Sequence, residues 1–237
     1  MTRTADDIHK QLEDVEDAIR AKVKARAKAR QLLDRLAKRL PALRKRRKKL
    51  RKALEEAQAT GRVKPNVVVE RNVVNQSSRS GVRPRLIVLH STESSEVKGS
   101  GDLAAIAAYF DNPSAQASSH VITDGDGNSA RCVPDAAKAW TCVSFNSLSL
   151  NAEQIGRAAS TVWSDEIQHE TARWIAKWSK DWGIPIVRGA VSGTAVTRSG
   201  VVFHSELGAA GGGHSDPGAN YPIGRVLDLA EAYRKQL

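Results

Sequence analysis

The chain has 237 residues, enough for one full-sized domain and a smaller segment, with 41% hydrophobic and 27% charged residues. This composition excludes a wholly disordered, collagen-like or disulfide-scaffold protein. The formal net charge is +11, and residues 1–60 carry most of the excess, with 19 basic and 9 acidic residues. The remainder is nearly neutral, so the sequence predicts two parts of different character.

The sequence carries no sign of a membrane span or a leader. No stretch reaches the roughly 18 consecutive apolar residues of a membrane-spanning helix. The first 20 residues lack the apolar core of about 7 to 15 residues that a signal peptide needs. We therefore expect the chain to be made in the cytoplasm, where Cys132 and Cys142 are more simply buried thiols than a disulfide.

Residues 1–60 show the heptad spacing of an α-helical coiled coil. The pattern begins at Ile8, Leu12, Val15 and Ile19 and resumes in the same register after a weaker stretch interrupted by Arg26. The later apolar positions are Leu33, Leu36, Leu40, Leu43, Leu50, Leu54 and Ala57, with Arg47 interrupting them. Pro41 predicts either a kinked helix or two helices meeting near Leu40, because proline lacks a backbone donor.

The positive charge is concentrated in residues 20–52, which contain 17 basic residues and one acidic residue, Asp34. A solvated basic coiled coil would explain part of this excess. Contact with a polyanion explains it better, and nucleic acid, anionic lipid or an anionic cell-wall polymer would each fit. The segment contains no aromatic residue, which argues against single-strand binding by base stacking.

Residues 61–75 are predicted to be a linker, since residues 61–84 are rich in Gly, Ser, Asn and Pro. Beyond it, strands and helices alternate, which is typical of an α/β fold with a mixed central sheet flanked by helices. The predicted strands are 85–90, 120–123, 130–133, 148–153 and 201–203; the predicted helices are 102–110, 164–182 and 224–236, and residues 208–213 form a Gly-rich loop. Trp174, Trp178 and Trp182 share one face of the second helix, where core packing is expected.

Four histidines of this region are candidates for a catalytic or metal-binding site. His90, His120 and His204 lie at the ends of apolar runs, and His214 precedes the segment Asp216-Pro217-Gly218. Imidazole and carboxylate together are donors that zinc accepts, and three protein ligands with one open position form the catalytic arrangement. A histidine at the end of a strand is also commonly a hydrogen-bonded structural residue, so spacing alone leaves both interpretations open.

The local contexts IVLHSTES, SSHVITDGDG, VPDAAKAWTC, LNAEQIG, VVFHSELG and HSDPGANYP occur in this order. Together they resemble the type-2 family of zinc-dependent N-acetylmuramoyl-L-alanine amidases, which shares its fold with peptidoglycan recognition proteins and phage T7 lysozyme. The resemblance covers roughly residues 76–237. The stretch SSRSGVRPRLIVLHSTE is similar to amidase-type endolysins of actinobacteriophages.

The resemblance implies that His90, His204 and Asp216 bind zinc and that Glu153 is the catalytic base. His214 stands where many members have a lysine that stabilises the oxyanion, and a histidine can donate the same hydrogen bond. Asn151 and Ala152 replace the Gly and Ile usually found before the catalytic Glu.

For two further residues the sequence leaves a choice between the substrate groove and the structural core. His120 is about equally well explained as a groove residue beside the metal and as a structural residue. Trp140 is explained as well by packing as by contact with the sugar or peptide.

The function that follows is hydrolysis of peptidoglycan at the amide between N-acetylmuramic acid and L-alanine. For an endolysin, the resemblance implies synthesis in the host cytoplasm, a holin for release, and action on the cell wall. Residues 20–52 would bind an anionic wall polymer or membrane surface, with nucleic acid disfavoured. The alternatives are a peptidoglycan-binding protein without catalysis, and a nucleic-acid- or lipid-binding protein acting through the basic helix.

Overall fold

The computed structural model describes residues 5–59, 61–94 and 100–237, and its first element is one long helix, α1 (Ala5–Ala59). The predicted N-terminal helix is therefore confirmed. The helix passes through Pro41, so the alternative of two separate helices is wrong. Among the described residues, no helix combines the length and apolarity needed to cross a bilayer.

The chain divides into two compact units, Met1–Lys49 and Leu50–Leu237. Ala53, near the end of α1, is buried in the hydrophobic core of the second unit. Glu56 pairs with Arg225 at 3.2 Å. The last turns of α1 belong to the second unit because they supply both apolar and ionic contacts to it.

The remaining helices and strands have the following bounds, in chain order. They are β1 (Val67–Glu70), β2 (Gln76–Ser78), β3 (Leu86–Ser91), α2 (Ser100–Phe110), β4 (Val121–Thr123), β5 (Ser129–Arg131), β6 (Ala137–Ala139), β7 (Ser149–Gln154), α3 (Asp165–Trp182), β8 (Ala190–Ser192), β9 (Ala195–Arg198), β10 (Gly200–Phe203) and α4 (Ile223–Arg234).

The main sheet has the strand order β1-β5-β4-β7-β3-β10. Its pairs are parallel except for the antiparallel pair β4 and β5. Strands β2 and β6, and β8 and β9, form two small antiparallel sheets. This mixed sheet with flanking helices confirms the predicted fold class.

Two segments differ from their predicted form. Residues 61–75 are not a free linker, because β1 pairs with β5 and the Asn66 N–H donates to Glu170. The Gly-rich loop is in part a 3₁₀ segment, His204–Gly211, with a kink at Gly208. A composition rich in turn residues indicates irregular backbone, but it cannot show that such a segment pairs with the sheet.

The central strands present alternate residues to the two faces of the sheet. Leu89, Ala152 and Val201 face the core formed with α3 and α4. Their neighbours Val88 and Val202 pack in a separate cluster of the opposite layer. The site described below lies on that opposite layer, because the same alternation carries polar side chains there.

Helix α3 anchors the sheet through its tryptophans, which confirms the packing interpretation. Ser164 caps its first turn by accepting from the Ile167 N–H, and Gly183 ends it in a left-handed conformation. Trp174 and Trp178 are 1% and 0% exposed, and their ring centroids lie 5.4 Å apart. Cys132 and Cys142 are free and buried.

Replacing Trp178 with alanine should therefore lower the free energy of unfolding by about 3–5 kcal/mol, because a large cavity opens under the sheet. Urea unfolding followed by circular dichroism would measure the loss. Val162→Ala is the matched control, since Val162 is 87% exposed and should change stability by less than about 0.5 kcal/mol. Equal stability of the Trp178 variant would contradict the assigned core.

Candidate metal centre

Three buried side chains meet where two parallel strands end. His90 lies at the end of β3, and His204 follows directly after β10, whose Phe203 pairs with Leu89. Asp216 comes from the loop before α4. One ligand atom from each of the three lies within 4.8 Å of the others. The structure thus brings together the three residues predicted as metal ligands.

The loop that carries Asp216 is held against the strands through both the backbone and the side chain of Asp216. The Ser205 N–H donates to the Asp216 carbonyl oxygen at 3.0 Å, and the Ser91 N–H donates to Asp216 Oδ2 at 3.1 Å. Gly218 has a φ of 91°, and a Cβ there would collide with the Ala158 carbonyl. The glycine of the Asp-Pro-Gly segment is therefore required for the close approach that places the carboxylate.

The hydrogen bonds of the two imidazoles decide which nitrogens are free. His90 Nε2 lies 3.1 Å from Asn151 Oδ1, and His204 Nε2 lies 2.9 Å from the Gly211 carbonyl oxygen. Both oxygens can only accept, so each Nε2 carries the proton in the neutral ring. Burial lowers the pKa of His90 and keeps that ring neutral, with nearby His204 adding to the effect and Asp216 opposing it.

The free Nδ1 atoms therefore point lone pairs at each other. They lie 3.0 Å apart, with Asp216 oxygens 3.5 Å from His90 Nδ1 and 3.2 Å from His204 Nδ1. Two lone pairs and a carboxylate at these distances repel unless a cation lies among them. Two imidazole nitrogens and one carboxylate form a donor set for a divalent transition metal, so the residues fit such an ion.

Glu153 lies beside this cluster on β7, directly across from His90 in the sheet register. Its Oε1 is 3.9 Å from His90 Nδ1, and its buried Oε2 has no hydrogen-bond partner among the described residues. Burial, with Asp216 and Glu93 nearby, raises the pKa of Glu153 to about 8. The carboxyl group is thus suited to accept and release a proton near neutral pH.

A groove of about 750 Å³ opens over the cluster, and Glu153, His204 and Asp216 form part of its lining. The His214 ring stacks on His204 with centroids 4.2 Å apart, and the His214 side chain is 57% exposed. Trp140 lines the groove with its indole held by a 2.9 Å hydrogen bond from Nε1 to Ser77 Oγ. Further wall residues are Tyr109, Phe110, Ser118, Thr141 and Asn146.

His120 does not line the groove, which corrects one of the two interpretations of that residue. Its side chain is fully buried, and its Nδ1 accepts from the Asn151 N–H at 3.1 Å. Nε2 is 3.2 Å from the Ala137 carbonyl and 2.8 Å from Arg79 Nη2. Burial and the Arg79 charge lower its pKa to about 3. The ring is a neutral structural element beneath the site.

Asn151 is the residue whose role the sequence analysis missed. Its Oδ1 accepts from His90 Nε2 and also from Cys142 Sγ, 2.9 Å away. Its Nδ2 donates to Ser149 Oγ at 3.1 Å. The Ser149 hydroxyl donates its own hydrogen to the Phe145 carbonyl oxygen, so it can only accept from Asn151, and this sets the amide orientation. The available signal was strand alternation: Asn151 is two residues before Glu153 and therefore faces the same side of the sheet.

The sequence profile of a family described as N-acetylmuramoyl-L-alanine amidase matches residues 80–219 of this chain. A comparison with curated protein sequences gave no significant match.

Several solved structures share the fold. The hydrolase AmiA of Staphylococcus aureus has a TM-score of 0.56 and 21% identity, covering 72% of this chain and 84% of that one. An AmpD selenomethionine derivative has a TM-score of 0.52 and 18% identity, covering 68% and 93%. The endolysin LysCS of Clostridium intestinale has a TM-score of 0.50 and 14% identity, covering 69% and 93%.

Replacing Asn151 with alanine should weaken metal binding about 10- to 100-fold, because His90 loses the acceptor that keeps its Nδ1 free. Competition against a chromophoric chelator would measure the affinity. Ser119→Ala is the control, since Ser119 is equally buried but donates only to the Asn151 carbonyl. Equal metal affinity of the Asn151 and Ser119 variants would show that this hydrogen bond does not position His90.

Proposed function

The chain belongs to the N-acetylmuramoyl-L-alanine amidase family, and we propose that it hydrolyses peptidoglycan with a zinc ion held by His90, His204 and Asp216. The observation that carries the proposal is the convergence of two imidazole nitrogens and one carboxylate beside Glu153, whose Oε2 has no hydrogen-bond partner in the described part of the chain. The bond cleaved would join the lactyl group of N-acetylmuramic acid to L-alanine.

The donor set favours zinc, which binds histidine and carboxylate ligands and keeps one position open in catalytic sites. Zinc in such a site supplies Lewis-acid chemistry, which polarises a carbonyl group and makes water easier to deprotonate. The remaining work falls to this chain's own side chains. They bind the substrate, orient it and move protons.

Glu153 is proposed to accept the proton of the attacking water at Oε2, since that oxygen makes no hydrogen bond to any residue that the structure describes. It then returns the proton to the leaving amine of L-alanine, as general acid-base catalysis requires. The raised pKa of Glu153 favours the return of the proton, because burial makes this carboxylate more basic than an exposed one.

His214 and Trp140 are proposed to act on the substrate from the groove walls. The stacked and exposed imidazole of His214 can donate a hydrogen bond to the developing oxyanion. Trp140 presents a fixed indole surface against which a sugar or peptide can pack. All three candidate zinc ligands are present, and the Glu153 carboxyl group lies beside them. This combination favours catalysis over peptidoglycan binding alone.

We further propose an endolysin role, in which a holin releases the enzyme from the host cytoplasm to the wall. The similarity of residues 77–93 to actinobacteriophage endolysins supports it. The basic residues 20–52 would hold the enzyme at an anionic surface.

Alanine at His90, His204 or Asp216 should remove bound zinc and abolish release of L-alanine-terminated peptides from purified cell walls. Metal content by plasma mass spectrometry and product analysis by mass spectrometry would measure both effects. Removing one ligand leaves too few donors for tight binding. A zinc-free protein with full activity would overturn the metal assignment.

Glu153→Gln should keep zinc but lower kcat about 10²- to 10⁴-fold, because glutamine cannot accept the proton. The metal content and kcat of this variant would be compared with those of Glu166→Gln, which makes the same change at an exposed position of α3. Activity of the Glu153 variant equal to that of the control would place the base elsewhere.

A further inference from the structure

Helix α1 carries an apolar face that the proposed catalytic function does not use. Five leucines lie within 12 residues of this helix: Leu32, Leu33, Leu36, Leu40 and Leu43. At 100° per residue they fall on one arc of about 100°. Each is between 46% and 65% exposed, so within the described chain this face is left uncovered.

The rest of the helix surface is basic. Between Lys28 and Arg46 the basic side chains fall outside the leucine arc, and residues 20–52 contain 17 basic residues against the single acidic Asp34. The side chains of residues 20–49 are all exposed. A partner must therefore offer an apolar layer and negative charge at the same time.

A lipid surface with anionic headgroups meets both demands. A helix lying in the headgroup region buries its leucines in the acyl boundary while its lysines and arginines meet the headgroup phosphates. Each basic residue near such a surface adds about 1 kcal/mol of attraction. A wall polymer or a nucleic acid would neutralise the charge but would leave five leucines in water.

A second copy of the chain fits less well. Pairing two such helices would bring two segments of 17 basic residues together and would place Arg26 and Arg47 in the heptad seam. Charged residues at seam positions and like charges beside them oppose association.

We propose that residues 20–49 of α1 bind an anionic lipid surface, with Leu32, Leu33, Leu36, Leu40 and Leu43 buried among the lipids. This deepens the surface-binding part of the proposed function and does not depend on the catalytic part. The ligand chemistry is a phospholipid headgroup with net negative charge above an acyl layer.

Vesicle co-sedimentation of the full-length protein tests the proposal. The probes are vesicles of phosphatidylcholine with about one quarter phosphatidylglycerol, and vesicles of phosphatidylcholine alone. The apolar-face variant is Leu33→Ser, Leu36→Ser and Leu40→Ser. The matched control is Ala21→Ser, Ala27→Ser and Ala42→Ser, which adds the same number of serines to the exposed basic side of the helix.

The parent and the control should bind the anionic vesicles at least ~10-fold more tightly than the neutral ones. The apolar-face variant should lose at least ~10-fold in affinity, because three leucines no longer leave water. Circular dichroism verifies the helix in each variant. The three proteins should hydrolyse a soluble muropeptide at equal rates. If none of them hydrolyses it, the catalytic proposal is wrong, and the lipid-binding proposal is unaffected.

Three outcomes would overturn the lipid assignment. The first is that the parent protein does not bind anionic vesicles. The second is that the apolar-face variant binds them as well as the parent does, and this result would indicate a polyanion partner recognised by charge alone. The third is that sedimentation without vesicles shows a dimer, that the leucine substitutions dissociate it, and that added vesicles do not. This result would assign the apolar face to a second copy of the chain.

Discussion

The site depends on keeping two imidazole nitrogens unprotonated 3.0 Å apart. Left to themselves, two such lone pairs beside a carboxylate repel, and a ring flip or a proton would relieve the repulsion. The acceptors of the two Nε2–H groups prevent the flip: the Asn151 amide oxygen for His90 and the Gly211 carbonyl for His204. Burial opposes the proton, because desolvation lowers the pKa of His90. The two nitrogen lone pairs and the carboxylate together produce a negative potential, which a metal cation can neutralise.

The sheet geometry delivers these groups to one point. Because alternate residues of a strand face opposite sides, His90, Asn151 and Glu153 share one face while Leu89 and Ala152 fill the core beneath. The parallel register sets Glu153 across from His90. Trp174 and Trp178 are buried under the sheet, and side chains carried on packed strands are positioned more precisely than side chains on loops.

Burial gives neighbouring groups opposite protonation behaviour. His120 is enclosed next to Arg79 and stays neutral, so it serves as an acceptor for the Asn151 N–H and carries no charge into the site. Glu153, enclosed next to Asp216, is pushed the other way and holds its proton more readily. Desolvation penalises the charged form in both cases, which for a base lowers the pKa and for an acid raises it.

The sequence by itself determined the helices, five of the six strands of the main sheet, the α/β class and the residues to examine as a candidate metal centre. Hydrophobic period and turn chemistry are local properties, so α3 was predictable to within a residue and His90 could be placed at a strand end. The tertiary structure alone decided that β1 joins the sheet, that the second unit begins at Leu50, that His120 is structural and that Asn151 orients His90. Those outcomes depend on contacts between residues far apart in the chain, such as the hydrogen bond between His90 and Asn151, which are 61 positions apart. A local sequence pattern does not indicate which distant side chain will be the partner in such a hydrogen bond.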